Sequence, residues 1–148
     1  NYLLNSKLNE IFPPFVNLGT LGLNFGLQGA QFTAVSTTAE NQTLSNSMYV
    51  HSIPNNNDNQ DIVSMGTNAA TMTKTVIDNA YQVLAIEMMA IIQAIKYIDD
   101  LESFSEKTKA VFQQFQHKID LEKQHDFPLY ATIEEFTTSL KENDVNRF

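Results

Sequence analysis

The sequence predicts an all-α protein in which one long central helix has antiparallel helical neighbours. Apolar residues recur at helical spacing in several segments, whereas no segment is rich in strand-forming residues. Residues 59–101 contain no proline, so one long helix can run through them. With 148 residues, 43% of them hydrophobic, the chain is long enough to bury the core of one domain.

The charged side chains are distributed unevenly along the chain. Residues 1–95 hold 8 of them, and residues 96–148 hold the other 18. A soluble monomer needs a charged, hydrated surface, which the first part of this chain does not supply. We therefore expect the helices of that part to be covered by an oligomer or by further chain.

The composition excludes several classes of function. The chain has no cysteine, which rules out disulfides, zinc–thiolate sites, iron–sulfur clusters and cysteine nucleophiles. The net charge of −8, with nine basic residues that form no patch, argues against binding of nucleic acid or of an anionic membrane. The first residues lack the basic and apolar regions of a secretion signal, so a cytoplasmic location is expected.

The first segment with helical spacing covers residues 2–12, where a short helix is predicted to stop at Pro13 and Pro14. Residues 15–26 are expected to form an irregular connector, because their three glycines permit unusual backbone dihedrals. The same glycines do not indicate a nucleotide-binding loop, since no Gly-Lys-Ser/Thr follows them.

A helix over residues 27–44 and a loop over residues 45–58 are predicted next. Small residues in the helix allow close contact with a neighbouring helix. The loop contains Pro54 and the asparagine run 55–57, which do not sustain regular structure.

The central helix is predicted over residues 59–101. Asp58 is a natural N-cap for it, and Asp61 completes a pair that resembles a capping box. Residues 80–98 are apolar over a length that could cross a bilayer. Glu87 in the middle of that stretch would be costly in lipid, and no positive charges flank it to set a topology. We therefore expect a core helix surrounded by other helices rather than a membrane span.

The last third of the chain predicts two charged amphipathic helices, at 106–119 and 130–142. Residues 120–129 separate them, and Pro128 marks the break. The whole chain, 1–148, is thus expected to be one segment with three parts: connector, helix and loop (1–58), central core helix (59–101) and charged outer helices (102–148).

Few residues suggest a chemical site. His51, His117 and His125 do not have the spacing of metal ligands, so no metal site is expected. Asn59 and Gln60 fall in the first turn of the predicted central helix, where free N–H groups and the positive end of the helix dipole face outward. Such a position can hold an anion or orient a polar group of a ligand.

Two blocks of sequence form a distinctive motif. Residues 44–54 read LSNSMYVHSIP and residues 58–66 read DNQDIVSMG. They resemble the pattern SVDSIP…NQD–VSMG of the histidine, phenylalanine and tyrosine ammonia-lyases. Shorter similarities extend the match over most of the chain, at residues 14–16, 22–31, 39–44, 84–87 and 126–130.

The resemblance implies a helical fold, a homotetramer and non-oxidative removal of ammonia from an aromatic amino acid. It also implies an electrophilic cofactor, 4-methylidene-imidazol-5-one (MIO), which the family builds from an Ala-Ser-Gly tripeptide. This chain contains no Ala-Ser-Gly, and its one arginine is Arg147. We therefore expect it to match the C-terminal third of such an enzyme, to form no MIO, to carry no catalytic residue and to be inactive alone.

Three residues are expected to bind substrate by this resemblance: Gln60, Gln28 and Asn59. Gln60 falls where histidine-specific members have glutamate and where phenylalanine and tyrosine enzymes have glutamine. A glutamate can pair with an imidazolium, whereas glutamine only forms hydrogen bonds, so a phenyl or phenol substrate is favoured. Gln28 falls where the family varies a side chain that faces the substrate. Two alternatives stay open: a 2,3-aminomutase of the same family, and a non-catalytic helical scaffold.

Overall fold

The structure is a computed structural model that describes residues 1–120 and 125–142. Within those residues the regular structure is helical and no β-strand is formed, which confirms the all-α prediction. The α-helices described are α1 (Ser6–Asn9), α2 (Gln28–Leu44), α3 (Gly66–Ile95), α4 (Glu106–Phe115) and α5 (Tyr130–Glu142). Short 3-10 turns lie at Pro14–Val16, Met48–Val50 and Gln116–Lys118.

Helices α2 and α3 run antiparallel and are joined by polar side chains as well as by apolar packing. The Thr37 hydroxyl donates to Gln82 Oε1 at 2.8 Å. Further along α2, Asn41 Oδ1 accepts from Asn79 Nδ2 at 2.9 Å. Asn41 follows Thr37 in α2, whereas its partner Asn79 precedes Gln82 in α3. The two helices therefore run in opposite directions, as predicted.

Helices α4 and α5 complete the core against α3. Met89, Phe115 and Phe136, one from each of these three helices, are fully buried. The rings of Phe115 and Phe136 lie 5.3 Å apart between centroids. Near the C-terminus of α5, an ion pair of 2.6 Å between Lys141 Nζ and Asp78 Oδ1 links this helix to α3.

Helix α3 is shorter than the central helix predicted over 59–101, and it begins at Gly66. Asp58 does not cap it, because the N-cap position is Met65 and Asp58 lies earlier in the chain, with a φ of +61°. At the other end the helix stops at Ile95 and loosens into single turns, such as the Ile98 N–H donating to the Ile95 carbonyl at 3.0 Å. The predicted start and end of this helix were therefore wrong, whereas the helix itself is confirmed.

The helix predicted over residues 2–12 is reduced to the four residues of α1. The side chain of Asn9 replaces the missing helical hydrogen bonds. Its Nδ2 donates to the carbonyl of Leu3 at 3.1 Å, and its Oδ1 accepts from the N–H of Phe12 at 2.7 Å. A buried asparagine that competes for backbone groups in this way favours an irregular turn over a helix.

The other predicted helices are confirmed within a residue or two. Helix α2 begins one residue after the predicted start, and α4 with its following 3-10 turn covers 106–118. Helix α5 has the predicted bounds. Of the predicted break at 120–129, residues 121–124 lie outside the described residues, as does Arg147.

One side of α3 stays uncovered within the described chain. Ile77, Leu84 and Ile91 are 50%, 49% and 40% exposed. By length and composition alone α3 could cross a membrane, a test that the core helix of a soluble protein also passes. Its opposite side packs on α2, α4 and α5, with buried residues Ala85, Ile86, Met89, Ala90 and 92–95.

Candidate functional site

Residues 52–63 form a closed loop between α2 and α3, which we call the polar loop. Ser52 closes its base, because the Ser52 hydroxyl accepts from the N–H of Val63 at 2.9 Å. Asn55 and Gln60 close its tip by exchanging two backbone hydrogen bonds, of 3.0 and 3.3 Å. The polar loop is therefore a short hairpin-like structure rather than the first turn of a helix.

The tip of the polar loop depends on its run of asparagine and aspartate. Asn56, Asn57 and Asp58 have φ values of +53°, +54° and +61°. These residue types adopt the left-handed region more readily than other non-glycine residues. The N–H of Asn59 then donates to the carbonyl of Asn56 at 3.1 Å. Three consecutive left-handed residues reverse the chain over a few positions.

Gln60 is held by its backbone and exposed by its side chain. The backbone N–H and carbonyl of Gln60 are both used by Asn55, whereas the side-chain amide has no hydrogen-bond partner among the described residues. Asn59 is exposed beside it. Because both residues precede Gly66, the first residue of α3, neither lies at the N-terminus of that helix. The expected contribution of the helix dipole at Asn59 and Gln60 was therefore wrong.

Gln28 is the first residue of α2 and is half-buried. Its N–H donates to the carbonyl of Phe25 at 3.2 Å. The polar loop follows the other end of this 17-residue helix, which is about 25 Å long. No hydrogen bond within residues 1–120 and 125–142 joins Gln28 to Asn59 or Gln60.

The connector before α2 is more ordered than the sequence indicated. Gly26 has a φ of +56°, and a Cβ added there would lie 2.9 Å from both Asn17 Cα and the Phe15 carbonyl oxygen. The Asn17 side chain donates to the Asn24 carbonyl at 2.7 Å, and the Tyr97 hydroxyl donates to the Asn17 carbonyl at 2.6 Å. Burial raises the pKa of the Tyr97 phenol, which keeps it a neutral donor.

Asp126 ties this connector to the segment that precedes α5. Its carboxylate accepts from the N–H of Phe25 at 2.9 Å and from the N–H of Gly26 at 3.2 Å. Sequence reasoning missed this contact, because about 100 residues separate its two sides. The available signal was that residues 22–31 and 126–130 both resemble the ammonia-lyases.

Two large clefts lie on the surface of the chain. One, of about 790 Å³, lies between α2 and α5 and includes Phe25, Asp126 and Lys141 in its walls. The other, of about 660 Å³, lies between the N-terminal residues, α2 and α3, and includes Glu87. None of the three predicted substrate-binding residues lines either cleft. The structure therefore does not gather Gln28, Asn59 and Gln60 into one pocket of this chain.

No metal centre is formed by the part of the chain that the structure describes, where no three His, Asp or Glu side chains come together as ligands. The absence of a metal from the working protein stays a prediction.

The antiparallel helices α2 and α3, with the exposed polar loop between them, place the chain among all-helical proteins. The model of the family described as aromatic amino acid lyase matches residues 1–117, and the chain belongs to that family.

Individual relatives fall within the same family. The chain is 38% identical over 112 residues to tyrosine ammonia-lyase of Cupriavidus metallidurans, covering 76% of this chain and 21% of that protein. It is 36% identical over 113 residues to the MIO-dependent tyrosine 2,3-aminomutase of Streptomyces globisporus, covering 76% and 21%. The crystal structure of histidine ammonia-lyase from Trypanosoma cruzi superimposes with a TM-score of 0.85 at 26% identity, covering 95% of this chain and 27% of that one.

The chain thus spans about a fifth of the length of the curated relatives that it matches. The family and the helical fold are shown by these similarities.

Proposed function

We propose that this chain is the C-terminal part of an MIO-dependent aromatic amino acid ammonia-lyase and that it contributes substrate contacts through Gln60, Gln28 and Asn59. The observation that carries the proposal is the polar loop, which holds the Gln60 backbone with two hydrogen bonds and leaves its amide exposed. Family membership supplies the reaction class.

The uncharged amide of Gln60 favours a phenyl or phenol substrate. An amide can donate to and accept from a phenol hydroxyl, or pack beside a phenyl ring without a desolvated charge. An imidazolium needs a counter-charge to enter a partly dry site, and glutamine does not provide one. Tyrosine and phenylalanine are therefore the proposed substrates, in preference to histidine.

This chain does not fit the role of cofactor source. MIO is built from Ala-Ser-Gly, and no serine in the 148 residues is followed by glycine. The electrophile, which activates the amino group for elimination, has to come from other parts of the working enzyme. What this chain contributes is binding and orientation of the substrate, and we propose that it has no activity alone.

We also propose a homo-oligomer in the cytoplasm, with no binding of nucleic acid or membrane. The exposed apolar side of α3 supports the oligomer. The net charge of −8 argues against binding of nucleic acid or of an anionic membrane.

Ammonia release tests the proposed reaction. The complete protein that contains this chain and the 148-residue chain alone are each incubated with tyrosine, phenylalanine and histidine. We expect ammonia and an unsaturated acid from the complete protein, and none from the chain alone. Absence of both ammonia and a β-amino acid product with all three amino acids would leave the scaffold as the better explanation, and ammonia from the chain alone would refute its inactivity.

A 2,3-aminomutase is the second candidate, and the relative from Streptomyces globisporus favours it. An aminomutase moves the amino group from C2 to C3, so the nitrogen stays in a β-amino acid. With substrate labelled by ¹⁵N, a lyase releases the label as ammonia, whereas an aminomutase retains it in the organic product. The distribution of the label between the two pools decides between these activities.

A further inference from the structure

Asp126 forms the long-range contact at the start of α2. Its two carboxylate oxygens accept separately from neighbouring backbone groups, the N–H of Phe25 and the N–H of Gly26. Hydrogen bonds to a charged acceptor are stronger than neutral ones, and two of them fix direction as well as distance. The pair therefore restrains both the position and the orientation of this peptide segment.

The restrained segment leads directly into Gln28. The carbonyl of Phe25 accepts from the N–H of Gln28 at 3.2 Å, so the residue held by Asp126 also contacts the first residue of α2. Leu27, between them, is fully buried, and its N–H donates to the Phe15 carbonyl at 3.1 Å. A shift of residues 25 and 26 is therefore transmitted to Gln28.

A second contact, from Asn17, holds the same segment. The buried side chain of Asn17 donates to the carbonyl of Asn24 at 2.7 Å, and Gly26 packs closely on the Asn17 backbone. The segment is thus held by both Asn17 and Asp126. Asn17 belongs to the same connector, whereas Asp126 comes from the far end of the chain.

We propose that Asp126 is a positioning residue, which acts through Gln28 by setting the direction in which that side chain leaves the first turn of α2. This inference rests on the proposed function, in which Gln28 faces the substrate. Displacement of a positioning group by about 1 Å can reduce activity by as much as a hundredfold, so loss of the Asp126 contacts is expected to lower kcat/KM through weaker substrate binding.

The test uses the complete protein with Asp126→Ala, Asp126→Asn and a matched control, Glu134→Ala. Glu134 is an exposed carboxylate on α5 without a hydrogen-bond or ion-pair partner among the described residues. We expect Asp126→Ala to raise KM for tyrosine or phenylalanine about tenfold with a much smaller change in kcat. Asp126→Asn keeps one oxygen acceptor and is expected to be intermediate, whereas the control matches the parent protein.

A double-mutant cycle separates positioning from a general structural effect. In a Gln28→Ala background, Asp126→Ala is expected to change kcat/KM less than about twofold, because its effect passes through Gln28. Full, independent losses from the two substitutions would overturn the proposal.

Hydrogen exchange provides a readout that does not require activity. We expect faster exchange in peptides covering residues 24–31 in Asp126→Ala and Asp126→Asn. In Glu134→Ala we expect the same exchange rate as in the parent protein. If the Asp126 variants of an active protein show unchanged exchange, the positioning role of Asp126 is overturned, whereas the proposed function is not affected. Faster exchange in a protein that releases no ammonia would support the restraint by Asp126 and count against the proposed lyase.

Discussion

Gln60 combines a fixed backbone with a side chain that is free to contact a ligand. Its backbone is paired with Asn55, and its amide extends from the loop without a partner among the described residues. Because the backbone is already fixed, binding through Gln60 costs only the ordering of its side chain. Since that side chain is the part left to meet a ligand, we expect its charge to decide which aromatic ring is accepted.

Substitution of Gln60 by glutamate tests that role in the complete protein. Gln60→Glu is expected to shift the ratio of kcat/KM toward histidine by about tenfold or more, since hydrogen bonds to charged groups contribute about 1.5–3 kcal/mol. Asn57→Asp is the control, because it adds the same charge at a left-handed position of the same loop. An equal shift in both variants would show a general charge effect.

Substitution of Gly26 in the connector is expected to be destabilising. In Gly26→Ala the new Cβ would meet Asn17 and Phe15 at a positive φ, so a loss of about 2 kcal/mol or more in stability is expected. Gly29→Ala is the matched control, since Gly29 lies in α2 with open space around it. That substitution is expected to be neutral or to stabilise by up to about 1 kcal/mol. Thermal unfolding of the complete protein measures both, and equal midpoints would contradict the prediction.

At the scale of elements, helices with local signals could be predicted from sequence. Helix α4, for example, follows Ser105, whose hydroxyl accepts from the N–H of Thr108 at 3.2 Å as an N-cap. The start of α3 could not be predicted in this way. Asp58 and Asp61 match a capping pattern, but the pairing of Ser52 with Val63 holds this segment in a loop.

The candidate site was predicted in part. The resemblance of local motifs singled out Gln60, but the sequence placed it in the first turn of a helix rather than in a loop. The contact of Asp126 with Gly26 depends on tertiary structure and has no local signature. The same limit applies to the relation of Gln28 to Gln60, which local sequence does not describe.

The ion pair between Lys141 and Asp78 links α5 to α3 and predicts a pH dependence. The hydrogen bond and charge of Lys141 lower the pKa of Asp78 below its ordinary value. The stabilisation is therefore complete above the unfolded pKa, about 3.9, and is lost as pH falls through the lower folded pKa. Lys141→Met should be less stable than the parent protein at pH 7, with a gap that narrows below about pH 4.

Urea unfolding midpoints between neutral and acidic pH measure this gap. Lys107→Met on α4 is the control, since Lys107 forms no ion pair with the described residues. A small part of the Lys141 effect is expected to persist in acid, because its Nζ also lies 5.8 Å from the centroid of the Tyr81 ring. A gap that stays constant with pH would show that Asp78 does not contribute.

At the scale of the whole molecule, the charge distribution and the exposed apolar residues agree. Residues 1–95 hold 8 charged side chains, and this part includes exposed Phe25, Phe32 and Val35 as well as the open side of α3. Exposed apolar surface of this kind is typical of an interface. The charged helices α4 and α5 pack on the buried side of α3.

The isolated 148-residue chain is therefore predicted to self-associate through residues 60–100. Sedimentation of the purified chain should show species larger than a monomer, and Leu84→Gln combined with Ile91→Gln should reduce the association, because both replaced side chains are exposed on α3. A monodisperse monomer for the parent chain would contradict this prediction.

The most direct test of the central claim, that this chain selects an uncharged aromatic substrate for an ammonia-lyase, is the specificity of the complete protein. The measurement is kcat/KM for ammonia release from tyrosine, phenylalanine and histidine under the same conditions. We predict that tyrosine or phenylalanine exceeds histidine by about tenfold or more, as expected for a pocket without a counter-charge. A clear preference for histidine would contradict the role assigned to Gln60.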